Sequence, residues 1–246
     1  MPRRVSAPAA LALLLWLGAV GAAPSGDLRI EPVSLSLRPD QPSATLWISN
    51  RGPTTLEAQL RVFSWTQENG AEVLVPTRDL AASPPLVQVP PQGRQLVRLV
   101  RTGGAGVDTP EAAYRLIVDQ LPGNVGQAAA KTPLLRYSIP VFTGPTLAGA
   151  GHRHSARIES DPAGHRLLRL DNSGDRHARV AALAFIGTGG RRQVLAPSLA
   201  GYVLAGRYKL WPLPDDIGSP PYGRFEADVN GEPAVLVPEP ALFGGR

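Results

Sequence analysis

The chain has 246 residues, 26 glycines, 26 prolines and no cysteine, and its formal net charge is +5. The absence of cysteine excludes disulfide bonds, thiol catalysis and thiolate metal sites, so stability must come from packing. The positive charge is small and no basic run alternates with aromatic residues, so we expect no nucleic-acid partner.

Residues 1–22 have the order of a secretory signal peptide. Arg3 and Arg4 precede the apolar run Ala9–Leu17, and the small residues Val20–Ala22 follow. We predict cleavage after Ala22, with an uncleaved anchor as the alternative. The apolar run is shorter than the roughly 20 residues that span a bilayer. The sequence therefore predicts export to the periplasm without membrane insertion, leaving enough chain for two domains of about 100 residues each.

The first half of the chain shows the period-two pattern of half-buried strands. In Ala44–Ile48 and Leu56–Val62, apolar side chains alternate with polar or exposed ones. Tyr114–Val118 has the same alternation, and Tyr114 stands where a tyrosine corner is found in immunoglobulin-like sandwiches. Trp65 belongs to an outward-facing row, together with Trp47 and Phe63. These aromatic side chains are covered by a second sheet or domain, or form a binding surface.

We place a domain boundary at Gly144-Pro145, which gives an N-terminal domain of residues 23–144 and a C-terminal domain of residues 145–246. The strand pattern restarts beyond this boundary, and the predicted strands there include Ser155–Glu159, His165–Leu170, Arg179–Ile186 and Tyr202–Pro214. No convincing helix is present. The fold class is therefore all-β, with two sandwich domains.

Enzyme and metal sites find little support in the sequence. There is no G-x-S-x-G nucleophile motif, and a hydrolase would need a clustered acid–base pair that the sequence does not offer. His152 and His154 share one face of an extended segment but lack an acidic partner, so we expect no metal site and no cofactor. The glycines of Gly187–Gly190 have no following helix, which favours a hairpin turn over a phosphate cradle.

Several segments, in their order and spacing, resemble the periplasmic chaperones of the chaperone–usher pathway, which assemble adhesive pili. These segments are Pro32–Leu37, Ser43–Asn50, the S-P-P…P-P-Q-G-R-Q-L-V-R block of Ser83–Arg98, A-Y-R-L-I-V-D-Q-L-P at Ala113–Pro122, L-R-Y-S-I-P-V-F at Leu135–Phe142, L-D-N-S-G-D at Leu170–Asp175 and Leu199–Gly206. The A-Y-R-L and S-I-P-V-F wording is most similar to the branch that serves archaic and spore-coat-protein-U-like pili.

The resemblance implies two immunoglobulin-like sandwiches set at an angle, with a cleft between them. It implies that the clients are pilin subunits lacking their own last strand, and that an outer-membrane usher receives them. The chaperone lends a strand to the client, which is β-augmentation. By the same resemblance, the lent strand is Leu134–Val141.

The apolar row proposed for donation comprises Leu135, Tyr137, Ile139 and Val141. Packing of this row against the protein's own core is the alternative. An exposed strand edge of this kind also makes self-association through the edge possible.

Many members of the resembled family bind the pilin's C-terminal carboxylate with an arginine of the first strand and a second basic residue. Alignment on Ile48–Asn50 puts Ser34 at the place of that arginine, and serine lacks the charged fork. Arg115 and Arg136 are the candidate substitutes. Both are ordinary surface arginines on the alternative interpretation, and Arg29, Arg98 and Arg101 are held in reserve.

A second function remains open on the sequence alone. The chain has the pattern of a secreted adhesion or binding protein made of two immunoglobulin-like domains. Such a protein would not depend on an apolar strand edge next to its domain junction, whereas a pilus chaperone would.

Overall fold

The computed structural model describes residues 27–103, 109–122, 134–144, 151, 153–215, 217 and 223–239. The predicted signal peptide and its cleavage site lie outside these residues. The described chain consists of strands joined by turns, and it includes no helix long and apolar enough to cross a membrane. The predicted all-β fold class is confirmed.

Within the described residues, the first sandwich is built from ten strands: β1 (Leu28–Glu31), β2 (Leu35–Leu37), β3 (Ser43–Asn50), β4 (Leu56–Glu68), β5 (Ala71–Pro76), β6 (Leu80–Ser83), β7 (Leu86–Val89), β8 (Arg94–Arg101), β9 (Ala112–Gln120) and β10 (Arg136–Thr143). One sheet has the order β1-β3-β8-β6, and the other has the order β2-β10-β9-β4-β5, with β7 beside β4. The inward rows of both sheets form one core, in which Leu46, Ile48 and Leu116 are fully buried.

The second sandwich contains β11 (His154–Ser160), β12 (Arg166–Asn172), β13 (Ala178–Ile186), β14 (Arg192–Val203), β15 (Arg207–Pro212), β16 (Arg224–Val229), β17 (Glu232–Leu236) and β18 (Pro238–Glu239). Its sheets have the orders β15-β12-β11-β18 and β14-β13-β16-β17. Leu168, Leu170 and Phe225 are fully buried in its separate core. The boundary predicted at Gly144-Pro145 falls between β10 and β11, and its exact position stays a prediction.

An asparagine holds the same kind of corner in each sandwich. Asn50 donates to the backbone oxygens of Thr54, Val89 and Pro90, and its side-chain oxygen accepts from the backbone N–H of Gly52. In the second sandwich, Asn172 donates to the oxygens of Arg176, Val203 and Leu204 and accepts from Gly174. Both asparagines are buried, so each corner is fixed by a fully bonded polar side chain.

Candidate functional site: a free strand edge and an interdomain cleft

Strand β10 is paired unequally on its two sides. It pairs with β9 over its whole length, from Arg136 opposite Asp119 to Thr143 opposite Ala112. On the other side, β2 covers only Val141–Thr143. Among the described residues, the outer backbone groups of Arg136–Pro140 therefore have no strand partner. Such an edge is a template for a strand from another chain, interrupted only at Pro140, which lacks an N–H group.

The apolar row of β10 divides into two halves. Ile139 and Val141 are 2% and 0% exposed and belong to the core of the first sandwich. Leu135 and Tyr137 are half-buried at the rim of this core, and the Tyr137 hydroxyl donates to the Leu28 oxygen at 2.7 Å. Ile139 and Val141 therefore pack against the protein's own core in the uncomplexed chain, as the alternative interpretation expected. Their inward direction follows from sharing the face of Leu116 and Val118 on β9.

Arg136 lies at the start of β10, on the opposite face from this row. Its exposed guanidinium donates to Asp119, which also accepts from Arg61 at 2.7 Å. The bond from Arg136 is the largest influence that holds the pKa of the Asp119 carboxyl below its usual value. Thr143 lies seven positions after Arg136 along the strand, so Arg136 is about 23 Å from the end of β10 that adjoins the second sandwich.

The outer face of the first sandwich is covered where it meets the second. Trp65 on β4 and Phe142 on β10 pack against Tyr202 and Leu204 of the second sandwich. Trp65 meets Tyr202 edge to face, with ring centroids 5.6 Å apart. Covering by another domain is therefore the correct interpretation for Trp65, which is 3% exposed. Trp47, by contrast, keeps 37% of its surface exposed.

Arg115 lies in this interdomain contact and is 9% exposed. Its guanidinium stacks over the Trp65 ring at 3.7 Å and bonds to the Glu72 carboxylate at 3.2 Å. Lys209 of β15 approaches the same carboxylate at 4.0 Å. Because β4 lies between β9 and β5, Arg115 reaches across β4 and away from the free edge of β10. The structure thus gives Arg115 and Arg136 different carboxylate partners.

A cleft of about 440 Å³ opens between the sandwiches on the β2 side. Its lining includes Ser36 of β2 and the exposed arginines Arg176 and Arg179 of the second sandwich. At its wall, the Glu111 carboxylate accepts from the backbone N–H of His177 at 2.8 Å and contacts its ring Nδ1 at 2.6 Å. This arrangement places cations at the point where β10 runs into the domain junction.

Sequence reasoning missed Arg176, Arg179 and Lys209 as candidate cations. They lie in the second sandwich, and strand periodicity carries no signal about which residues of one domain face the other. Ser34 is exposed just before β2 and supplies no charge. Tyr114 is buried, and among the described residues its hydroxyl contacts the Asp79 carboxylate at 3.4 Å, while the tyrosine corner stays a prediction. Burial, reinforced by Asp79, raises the pKa of Tyr114.

The remaining candidates have simpler environments. The glycines of Gly187–Gly190 form the predicted hairpin turn between β13 and β14, closed by a bond from the Gly190 N–H to the Gly187 oxygen at 2.8 Å. His152 lies outside the described residues. Within the part of the chain that the structure describes, no group of three or more His, Asp or Glu side chains is placed to hold a metal.

Comparison with known proteins adds a family match and several structural matches. Residues 27–148 match the family described as pili and flagellar-assembly chaperone, PapD N-terminal domain. The CsuC–CsuE chaperone–tip adhesion subunit complex of the archaic Csu pili of Acinetobacter baumannii matches with a TM-score of 0.69 and 22% identity. That match covers 87% of this chain and 99% of the other. No curated protein sequence matches the chain.

Two further structures have the same fold over nearly their whole length. The CupB2 chaperone of Pseudomonas aeruginosa has a TM-score of 0.59 and 13% identity, with 86% of this chain and all of the other covered. The SafB chaperone in complex with the SafA pilin of Salmonella enterica has a TM-score of 0.62 and 17% identity. Here 88% of this chain and 98% of the other are covered. The two-sandwich fold is thus shared with these two chaperones over nearly their whole length.

Proposed function

We propose that this chain, whose residues 27–148 match the pili and flagellar-assembly chaperone family, is a periplasmic chaperone that binds pilin subunits through the free edge of β10. The lent strand completes the client's sandwich and covers its apolar groove until an outer-membrane usher accepts the subunit. The reaction is one of binding and release, without a catalytic step, metal or cofactor.

The observation that carries this proposal is the half-paired state of β10. A client strand laid along Arg136–Pro140 satisfies backbone groups that have no strand partner among the described residues. At the rim, Leu135 and Tyr137 offer half-buried apolar surface to the client. Ile139 and Val141 contact the client only if the cores of the two proteins merge into one in the complex. The same edge is the surface through which the free protein would self-associate.

The branch of the family is also part of the proposal. The A-Y-R-L and S-I-P-V-F segments favour an archaic-type client, and the match to CsuC is consistent with this choice.

We keep Arg115 as the proposed anchor of the client's terminal carboxylate. To act in this way, its guanidinium must release Glu72 and turn toward the β10 side. Arg136 is the weaker candidate, since it lies at the far end of β10 and is held by Asp119. A second pair of candidates, Arg176 and Arg179, is favoured by its position in the cleft beside β2.

The test is copurification from the periplasm, with the bound chain identified by mass spectrometry. We expect a one-to-one complex with a small secreted β-subunit. Leu135→Asp combined with Tyr137→Asp places carboxylates where the client's apolar groove must close. This variant should reduce complex yield about tenfold or more, because burying an unpaired charge is costly.

Ser138→Asp is the matched control, since Ser138 is exposed on the opposite face of the same strand. This variant should retain most of the complex. The melting temperature of each variant should also be measured, so that a loss of complex is not mistaken for unfolding. Undiminished complex with the double variant would contradict strand donation by β10. A bound partner that is not a pilin would favour the secreted binding-protein alternative.

A further inference from the structure

A rigid corner of the first sandwich lies beside three arginines, Arg29, Arg51 and Arg94, which take no part in the proposed strand donation. The corner joins β3 to β4 and lies against the turn before β8. Besides Asn50, it is held by Gln92, whose side-chain amide donates to the Arg51 oxygen at 2.6 Å. The backbone N–H of Arg51 in turn donates to the Asp27 oxygen at 2.8 Å. The backbone that presents these side chains is therefore fixed before any ligand arrives.

The arginines surround a cavity of about 370 Å³ whose lining includes Arg29, Arg51, Arg94, Gln92 and Glu31. Arg29 and Arg94 stand on either side of Ser49 in one cross-strand row, because Ser49 pairs with Arg29 on β1 and with Arg94 on β8. Glu31 is the one carboxylate among the lining residues. Within the described chain, no ion pair joins any of the three arginines to an acidic side chain. The cavity thus has an excess of positive charge.

An aromatic ring orients one of the three cations. Trp47 lies under the Arg94 guanidinium, with 4.3 Å from the Arg94 Cζ to the ring centroid. Stacking on the ring leaves the edge of the guanidinium, where its N–H groups are, available for an acceptor. The exposed part of Trp47 adds apolar contact area directly beside the charged cavity.

We propose that this cavity is a docking site for the carboxylate side chains of an acidic segment in a partner protein. Guanidinium forks match carboxylates geometrically, and three of them around one concavity favour a segment with more than one acidic residue. A bilayer surface is disfavoured, because a flat membrane does not enter a cavity and, among the described residues of this face, Trp47 is the one large exposed apolar side chain. The site lies on the sheet that does not contain β10, so it is independent of the proposed function.

Isothermal titration calorimetry of the purified protein with hexaglutamate at low ionic strength tests the site, with hexaglutamine as the neutral reference peptide. We expect saturable binding of hexaglutamate that weakens as salt is added. Arg29→Gln combined with Arg94→Gln should weaken it about tenfold or more. The control is Arg98→Gln combined with Arg78→Gln, which removes the same charge from exposed arginines outside the cavity.

Three outcomes would overturn the proposal. The first is equal weakening by the two double variants, which would mean attraction to general positive charge. The second is equal binding of hexaglutamine. The third is tighter binding of inorganic phosphate, or of vesicles containing anionic phospholipid, than of hexaglutamate at the same cavity. Thermal melting of each variant, with midpoints matching the unsubstituted protein, ensures that altered binding is not unfolding.

Discussion

Arg115 is the side chain for which we propose two roles, a contact between the sandwiches and the binding of a client carboxylate. Its guanidinium is almost out of contact with solvent, lies on the Trp65 ring and bonds to Glu72. Its Nε is buried without a hydrogen-bond partner among the described residues. An acceptor that forms a hydrogen bond with such an unsatisfied buried N–H group stabilises the complex strongly. A client carboxylate is such an acceptor, although Glu72 occupies the other end of the same guanidinium.

Substitution of Arg115 and Glu72 separates these two roles. Arg115→Ala removes a charge-assisted hydrogen bond worth about 1.5–3 kcal/mol, so the free energy of unfolding should fall by about this amount. It should also lower the yield of the client complex, which Arg115→Lys should restore only in part. Glu72→Gln leaves the guanidinium in place without its competing carboxylate, so complex yield should hold or rise.

Urea unfolding and periplasmic copurification measure the two effects side by side. Undiminished complex with Arg115→Ala would reduce Arg115 to an interdomain contact. Loss of complex with Arg176→Gln combined with Arg179→Gln would then transfer the anchor to the cleft.

At the scale of the element, β10 is a strand with one edge fixed and half of the other free. Its inward row is anchored at the end next to the second sandwich and reaches the rim of the core at its start. The two ends therefore tolerate charge differently, and burial at each position determines the result.

Ile139→Asp should unfold the first sandwich or destabilise it by several kcal/mol, because the carboxylate replaces a side chain that is 2% exposed. Ser138→Asp, one residue away and exposed, should change stability by no more than about 0.5 kcal/mol. Urea denaturation followed by far-UV circular dichroism gives both values. A stably folded Ile139→Asp variant would mean that β10 turns its apolar row away from the core in solution.

Strand alternation predicted which rows face inward, but not what covers the outward rows. Tyr114, Leu116 and Val118 are buried as the period-two pattern requires. Arg115, on the outward row of the same strand, is only 9% exposed, and its guanidinium lies 5.7 Å from the centre of the Tyr202 ring in the second sandwich. Alternation is a property of one sheet, whereas its outer face is buried by a domain distant in sequence. The carboxylate partners of Arg115 and Arg136 are unpredictable for the same reason, since they depend on cross-strand register.

The ends of the strands were predicted less accurately than their existence, because local turns decide where a strand stops. The sequence predicts one strand over Tyr202–Pro214, while the structure ends β14 at Val203 and begins β15 at Arg207. Gly206 makes the break, with a φ of 65° that favours glycine. The predicted lending strand Leu134–Val141 is likewise displaced by two residues from β10, Arg136–Thr143, because its first residues precede the pairing with β9.

At the scale of the whole molecule, the two sandwiches are joined by polar bonds as well as by the aromatic cluster. Gln67 of β4 reaches into the second sandwich, where its amide donates to the Tyr202 oxygen at 2.7 Å and accepts from the Leu204 N–H at 3.0 Å. One side chain thus replaces a neighbouring strand for a short stretch of backbone. Because Gln67 is 2% exposed, these bonds form away from water, and the relative position of the domains depends on them.

Gln67→Ala leaves the Tyr202 oxygen and the Leu204 N–H without their partner, at a cost of about 1–3 kcal/mol for each group that stays dry. Since that loss falls on the junction and not on either core, the sandwiches should unfold more independently. We expect differential scanning calorimetry to show two separated transitions, or one broadened transition, in place of a sharper one. Gln59→Ala, at an exposed position of the same outer row of β4, should leave the profile unchanged. Identical profiles for the two variants would show that the aromatic cluster alone couples the domains.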